Sequence, residues 1–119
     1  MEKTLLDLSG KWSLTLVENN EVLRTGFDPK TAAEVRAGGY LTIDGSVPGN
    51  FELDLFAAGL APDPFVGTNP WDYQQYENRH LYYSTTFDAP TCDESKNDLF
   101  LVFDGVDTVA DIYLNGTLL

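Results

Sequence analysis

The sequence predicts an all-β domain, a β-sandwich or jelly roll carrying one or two short helices, and three observations predict it. Short segments of period-two or β-branched and aromatic character recur along the chain, and turn residues separate them. One late segment, Leu99-Phe100-Leu101-Val102-Phe103, is apolar at every position, as in a strand covered on both faces. The 119 residues, 43% hydrophobic and 13% aromatic, suffice for one core. They are too few for a (β/α)8 barrel or a two-half dinucleotide-binding sheet.

Residues 11–17 put Trp12, Leu14 and Leu16 on one face, which predicts a half-buried first strand. Residues 18–39 are polar and mixed, with Val22, Leu23, Phe27, Ala32, Ala33 and Val35 as scattered anchors, and predict loop or short irregular strand. Residues 40–43 resume alternation and predict a second short strand stopping at Asp44-Gly45. Val47-Pro48-Gly49 is a turn, after which Asn50 is placed to cap a helix over 51–58, with Phe51 and Leu55 on one face and Gly59 as its stop. Four of the six prolines lie between Pro48 and Pro70, so residues 61–69 are read as an ordered loop. Asn69-Pro70 then opens a helical turn reaching Tyr76, since proline is tolerated at the first helical position.

Residues 81–87, rich in aromatic and β-branched side chains, predict a strand, and residues 88–98, with Pro90 and four acids, its exposed connection. Residues 99–103 follow as a central strand ended by Asp104-Gly105. Residues 109–114 alternate with Ala110, Ile112 and Leu114 inward, and Asn115-Gly116 is the strongest hairpin signal of the chain. The return arm is only Thr117-Leu118-Leu119, which predicts a domain truncated at its C-terminus; the alternative is a natural end with a short arm.

Seven Lys and Arg against nineteen Asp and Glu give a formal charge of -12, the wrong sign for neutralising phosphates. Nucleic acid and anionic membranes are therefore not expected partners, whereas a neutral sugar is compatible, as is a simple contribution to solubility. The single cysteine, Cys92, cannot form an intrachain disulfide. Asp7 interrupts the leucines of the N-terminus, no long apolar h-region or membrane span follows, and a cytoplasmic location is expected. Asn115-Gly116-Thr117 is formally a glycosylation triplet and reads better as a turn.

With His80 the sole histidine, no metal site built from several His and Cys fits in one chain. Acyl-transfer, phosphate-loop and dinucleotide motifs are missing too, so neither metal nor cofactor is expected. The acids among residues 88–98 lack calcium-loop spacing and read as a solvated turn. Glycosidic hydrolysis needs a carboxylate pair. Glu52 with Asp54, or Asp104, Asp107 and Asp111, can be nominated only because acids are abundant, and no catalytic residue is assigned.

Seven of the fifteen aromatics lie between Phe65 and Phe87, interleaved with Asn69, Asp72, Gln74, Gln75, Glu77 and Asn78. Sugars offer C–H faces to rings and hydroxyls to amides and carboxylates, so this stretch is a candidate carbohydrate surface. Packing of a proline-rich loop onto the sheet explains the same rings.

Four ordered motifs narrow the choice. They are Val47-Pro48-Gly49-Asn50-Phe51-Glu52-Leu53-Asp54-Leu55, the run Gly59-Leu60-Ala61-Pro62-Asp63-Pro64-Phe65-Val66-Gly67-Thr68-Asn69, Tyr82-Tyr83-Ser84-Thr85-Thr86-Phe87, and residues 103–116. Together, and from Leu8-Ser9-Gly10-Lys11-Trp12 onward, the chain resembles the N-terminal sugar-binding domain of glycoside hydrolase family 2, on its β-mannosidase-like branch. The resemblance implies a galactose-binding-like jelly roll over residues 1–119, incomplete at its end, which in the full enzyme precedes an immunoglobulin-like sandwich and a catalytic barrel. The catalytic glutamates of that family lie in the barrel, so the chain would be non-catalytic alone. Its implied partners are the carbohydrate substrate of the full-length enzyme and the missing C-terminal domains of the same polypeptide.

The resemblance also makes Asn69 the best candidate substrate contact, with Trp71 and Tyr73 weaker ones; helix capping before Pro70 is the other role open to Asn69. Asn50-Phe51-Glu52 stands where many β-mannosidases carry a His, and Pro70 replaces their acidic residue, so the sugar is left open. An independent carbohydrate-binding module and a domain-packing module without sugar contact are the two competing functions.

Overall fold

The computed structural model describes residues 6–91, 95, 98–107 and 109–119. Strand β1, Gly10–Glu18, is the centre of a three-stranded antiparallel sheet of order β2-β1-β3, flanked by β2, Thr42–Val47, and β3, Arg79–Ser84. Lys11 pairs with Ser46 and Leu14 with Ile43 on one side, and Leu14 with Tyr83 and Glu18 with Arg79 on the other.

Leu14, Thr15, Leu16 and Val17 are all buried, so β1 is covered on both faces rather than one. On the Leu14 and Leu16 face it packs with Leu55 and Tyr73, and Ile43, Phe51, Ala61, Tyr76, Leu81 and Tyr83 close the cluster. Thr15 turns to the other face, where its hydroxyl bonds that of Thr42 at 2.7 Å.

Residues 18–39 correct the loop expectation, because they hold two helices, α1 (Asn19–Thr25) and α2 (Ala32–Ala37). α1 buries none of its residues and carries a Glu21 to Arg24 ion pair at 2.6 Å, which is why no apolar period marks it. α2 starts at Thr31, whose hydroxyl accepts the Glu34 N–H at 3.1 Å while the Glu34 carboxylate accepts the Lys30 N–H at 2.6 Å. This variant of the capping box was legible in Thr31-Ala32-Ala33-Glu34. Phe27 fastens the segment to the sheet, its ring 4.9 Å from Tyr40 and 5.6 Å from Tyr82.

β2 continues past Asp44-Gly45 to Val47 instead of stopping there. Gly45 is what the neighbouring strands require, since a Cβ at that position would lie 3.0 Å from the Tyr83 ring and 3.3 Å from Leu14 Cβ. Helix α3 spans Phe51–Ala57 as the sequence predicts, with the Asn50 side chain accepting the Leu53 N–H at 2.9 Å. Asn50→Ala is expected to cost about 1 kcal/mol of stability, and Asn50→Ser almost none, in urea unfolding. Equal midpoints for the Ala and Ser variants would remove the cap from this account.

Residues 58–68 form turns, and a 3-10 helix, Asn69–Tyr76, follows with Pro70 at its start. With three α-helices and a 3-10 helix among the described residues, helix exceeds the one or two short pieces expected.

The largest correction concerns the C-terminal third. Residues 99–103 join no strand, and Phe100 is 83% exposed. An apolar run becomes a central strand only where strands on both sides accept its backbone bonds, and among the described residues none flanks it. Of residues 109–114 only Tyr113 and Leu114 are extended, as β4, which pairs with β5, Thr117–Leu118. Ala110 and Leu114 are exposed and Ile112 half-buried, so the inward alternation fails as well. The turn itself is as read: Asn115 and Gly116 have φ of 50° and 83°, the left-handed pair of a tight hairpin. Cys92 and the acids Asp93 and Glu94 lie outside the described residues.

Candidate functional site

The candidate site is the unit of turns and 3-10 helix that crosses the sheet face between α3 and β3. Proline density keeps residues 61–68 out of regular structure, and local bonds shape them instead. Asp63 accepts the Phe65 N–H at 2.9 Å, and the Val66 carbonyl accepts the Asn69 N–H at 3.1 Å.

Asn69 is half-buried, and its side-chain Nδ2 donates to the Asp63 carbonyl at 3.1 Å. The helix is preceded by Thr68, which supplies no capping side chain, and the Asn69 amide ties the helix start to the loop rather than capping a backbone N–H. Its Oδ1 and second N–H are unengaged among the described residues.

Trp71, two residues on, is 69% exposed. Tyr73 is 6% exposed and belongs to the core; its hydroxyl donates toward the carbonyls of Glu52 and Pro62, joining α3, the loop and the 3-10 helix. Burial, with Asp63 and Glu52 nearby, raises its pKa and holds the phenol protonated.

The aromatic stretch therefore divides. Tyr73, Tyr76, Tyr82 and Tyr83 pack, while Phe65 and Trp71 are exposed at the site and Phe87 further along. Beneath the site lies a residue that sequence reasoning discounted. Asp54, 4% exposed, accepts the Ser46 N–H at 3.0 Å and the Tyr83 hydroxyl at 3.1 Å, tying α3 to both edge strands. Its signal was available: on a helix opened by Asn50 it stands beside the inward Leu55, a position where a solvated acid is not expected. Burial first, then the Asp54 charge, drives the Tyr83 pKa far above the ordinary tyrosine value. Of the other nominated acids, Glu52 is half-buried and Asp104, Asp107 and Asp111 are exposed. Among the described residues no three His, Cys, Asp or Glu side chains gather as a metal would require, and no helix is long and apolar enough to cross a membrane.

Residues 12–119 match the model of the family described as glycosyl hydrolase 2 galactose-binding domain-like. The chain belongs to this family. Within it, the chain is 43% identical over 70 residues to beta-mannosidase B of Thermothelomyces thermophilus, 59% of this chain and 8% of that protein. It is 32% identical over 98 residues to beta-mannosidase B of Emericella nidulans, 82% of this chain and 11% of that protein. To a probable beta-mannosidase of Caenorhabditis elegans it is 33% identical over 113 residues, 95% of this chain and 10% of that protein. The chain thus spans about a tenth of the length of the curated relatives it matches. No solved structure matches it significantly.

Proposed function

We propose that this chain is the non-catalytic N-terminal β-domain of a family 2 glycoside hydrolase acting on β-mannosides, and that it helps to shape the carbohydrate pocket of the whole enzyme. Family membership, the beta-mannosidase names of the relatives and the small share of their length it covers all support the reading. In the whole enzyme the sheet is one layer of a jelly roll, and residues 99–103 are covered by its remaining parts.

The observation that carries the site is the clamp under the 3-10 helix. Tyr73 fixes the helix from below, so Asn69 and Trp71 are presented at its outer side on a rigid base. One Asn69 N–H is occupied by Asp63, which sets the carboxamide plane and leaves an acceptor and a donor for a sugar hydroxyl. The Trp71 indole offers a flat apolar face for pyranose C–H groups. Tyr73 acts through Asn69 and Trp71 as a positioning residue.

Asn69→Ala in the whole gene product should lower kcat/KM on a chromogenic β-mannoside about tenfold, the loss of about one charge-free hydrogen bond in the transition state. The melting temperature should move by no more than about 2 °C. An unchanged rate with a lowered melting temperature would make Asn69 a loop tie and nothing more. The pocket-shaping role itself is tested by comparing the 119-residue chain with the whole gene product on β-mannoside, β-galactoside and β-glucuronide. Turnover by the longer product alone supports it, whereas sugar binding by a gene product that ends at Leu119 would instead favour an independent carbohydrate-binding module.

A further inference from the structure

A polar cleft lies where β1 runs into α1 and the 3-10 helix runs into β3. It has a volume of about 340 Å³ and is lined by Glu18, Asn19, Asn20, Gln75, Asn78 and Arg79. Its frame is built from main-chain and side-chain bonds. The Asn19 N–H donates to the Asn78 carbonyl at 2.8 Å, Asn19 Oδ1 pairs with His80 Nε2 at 2.9 Å, and Gln75 Nε2 donates to the Asp72 carbonyl at 2.9 Å.

What the frame leaves unused is the informative part. The carboxamides of Asn20 and Asn78 have no partner among the described residues. Arg79 sits over the Tyr76 ring, its Cζ 5.0 Å from the centroid, and makes one long bond from Nη2 to Glu18 at 3.3 Å. Its Nε is the only buried side-chain nitrogen or oxygen among the described residues without a partner. Nε is covered by protein, so what the cleft can use are the terminal guanidinium nitrogens, held in place by the ring and engaged only by the long bond to Glu18.

We infer that this cleft is a saccharide subsite taking one neutral sugar ring. Hydroxyls both donate and accept, which matches a lining of two free carboxamides, one acceptor-only carboxylate and one donor-only guanidinium. Glu18 and the formal charge of -12 oppose an anion at Arg79, and the volume is at the lower end of small-ligand clefts, enough for a monosaccharide unit and not for a chain. Gln75 stands six residues after Asn69 on the 3-10 helix, on the order of 12 Å along its axis, so the two groups serve different sugar units. The inference rests on the lining of the cleft and does not need the role proposed for Asn69.

The test is calorimetric titration of D-mannose into the whole gene product and into its Asn20→Ala/Asn78→Ala variant. Both residues are exposed and unengaged, so the fold is retained, and an unchanged melting temperature verifies it. One binding equivalent should weaken about tenfold or more in the variant, as expected for two lost hydrogen bonds. Superimposable isotherms would overturn the subsite, as would displacement of the bound mannose by sodium phosphate at matched ionic strength. A gene product that fails to hydrolyse β-mannosides yet loses this equivalent in the variant would sink the pocket-shaping role and leave the subsite standing.

Discussion

Asp54→Ala is expected to lower the unfolding free energy of this chain by about 3 kcal/mol, because two donors lose one buried charged acceptor at once. The carboxylate is 4% exposed and takes the Ser46 N–H and the Tyr83 hydroxyl. Hydrogen bonds to a charged acceptor contribute about 1.5–3 kcal/mol each, and a methyl group in its place removes both bonds. Asp54→Asn keeps one acceptor oxygen and should cost about half as much. A double-mutant cycle with Tyr83→Phe should show coupling above about 0.5 kcal/mol, since the two side chains share one bond. Urea titration measures all four species, and an Asp54→Ala loss within about 0.5 kcal/mol of zero would show that solvent reaches this carboxylate in solution.

The same contact sets an alkaline limit. The folded state holds the Tyr83 phenol protonated well above the ordinary value of 10.0, whereas the unfolded chain releases that proton near it. The stabilisation is therefore complete below pH 10 and declines as pH rises beyond it, and the decline should be shallower in Asp54→Ala.

Leu14→Ala should cost about 2–5 kcal/mol, the range for deleting a fully buried leucine that leaves a cavity. Leu14 has 0% exposure, pairs with both neighbouring strands, and packs with Leu16, Leu55 and Tyr73. Its loss opens a void beneath the Tyr73 clamp, so the proposed pocket-shaping role predicts that β-mannoside turnover by the whole gene product falls with stability. Leu23→Ala, at a residue 74% exposed on α1, is the control and should stay within about 0.5 kcal/mol. Equal unfolding midpoints for the two variants would mean that the sheet face is not the core.

Part of the candidate site was legible because short-range chemistry decides it. Asn50 caps α3 whatever lies above it, and Pro70 starts a helical turn because its missing N–H is not needed there. The same knowledge of types could not separate Tyr73 from Trp71. Both are aromatic residues on one 3-10 helix, and which ring turns inward depends on the carbonyls of Glu52 and Pro62, distant in sequence and close only in the fold.

The capping bonds of Thr31 and Glu34 are local, but α2 buries only Val35, so no apolar period marks the helix they open. Composition and local pattern thus determined α3, the 3-10 turn and the Asn115-Gly116 hairpin through bonds within a few residues, and the first strand through its period-two pattern, although its ladder bonds go to β2 and β3, distant in sequence. Tertiary structure alone decided that β1 is covered on both faces, that Asp54 is a buried acceptor, and that residues 99–103 join no strand. Each depends on which partner arrives from elsewhere in the chain, and a hydrophobic pattern records the demand for burial without naming the surface that meets it.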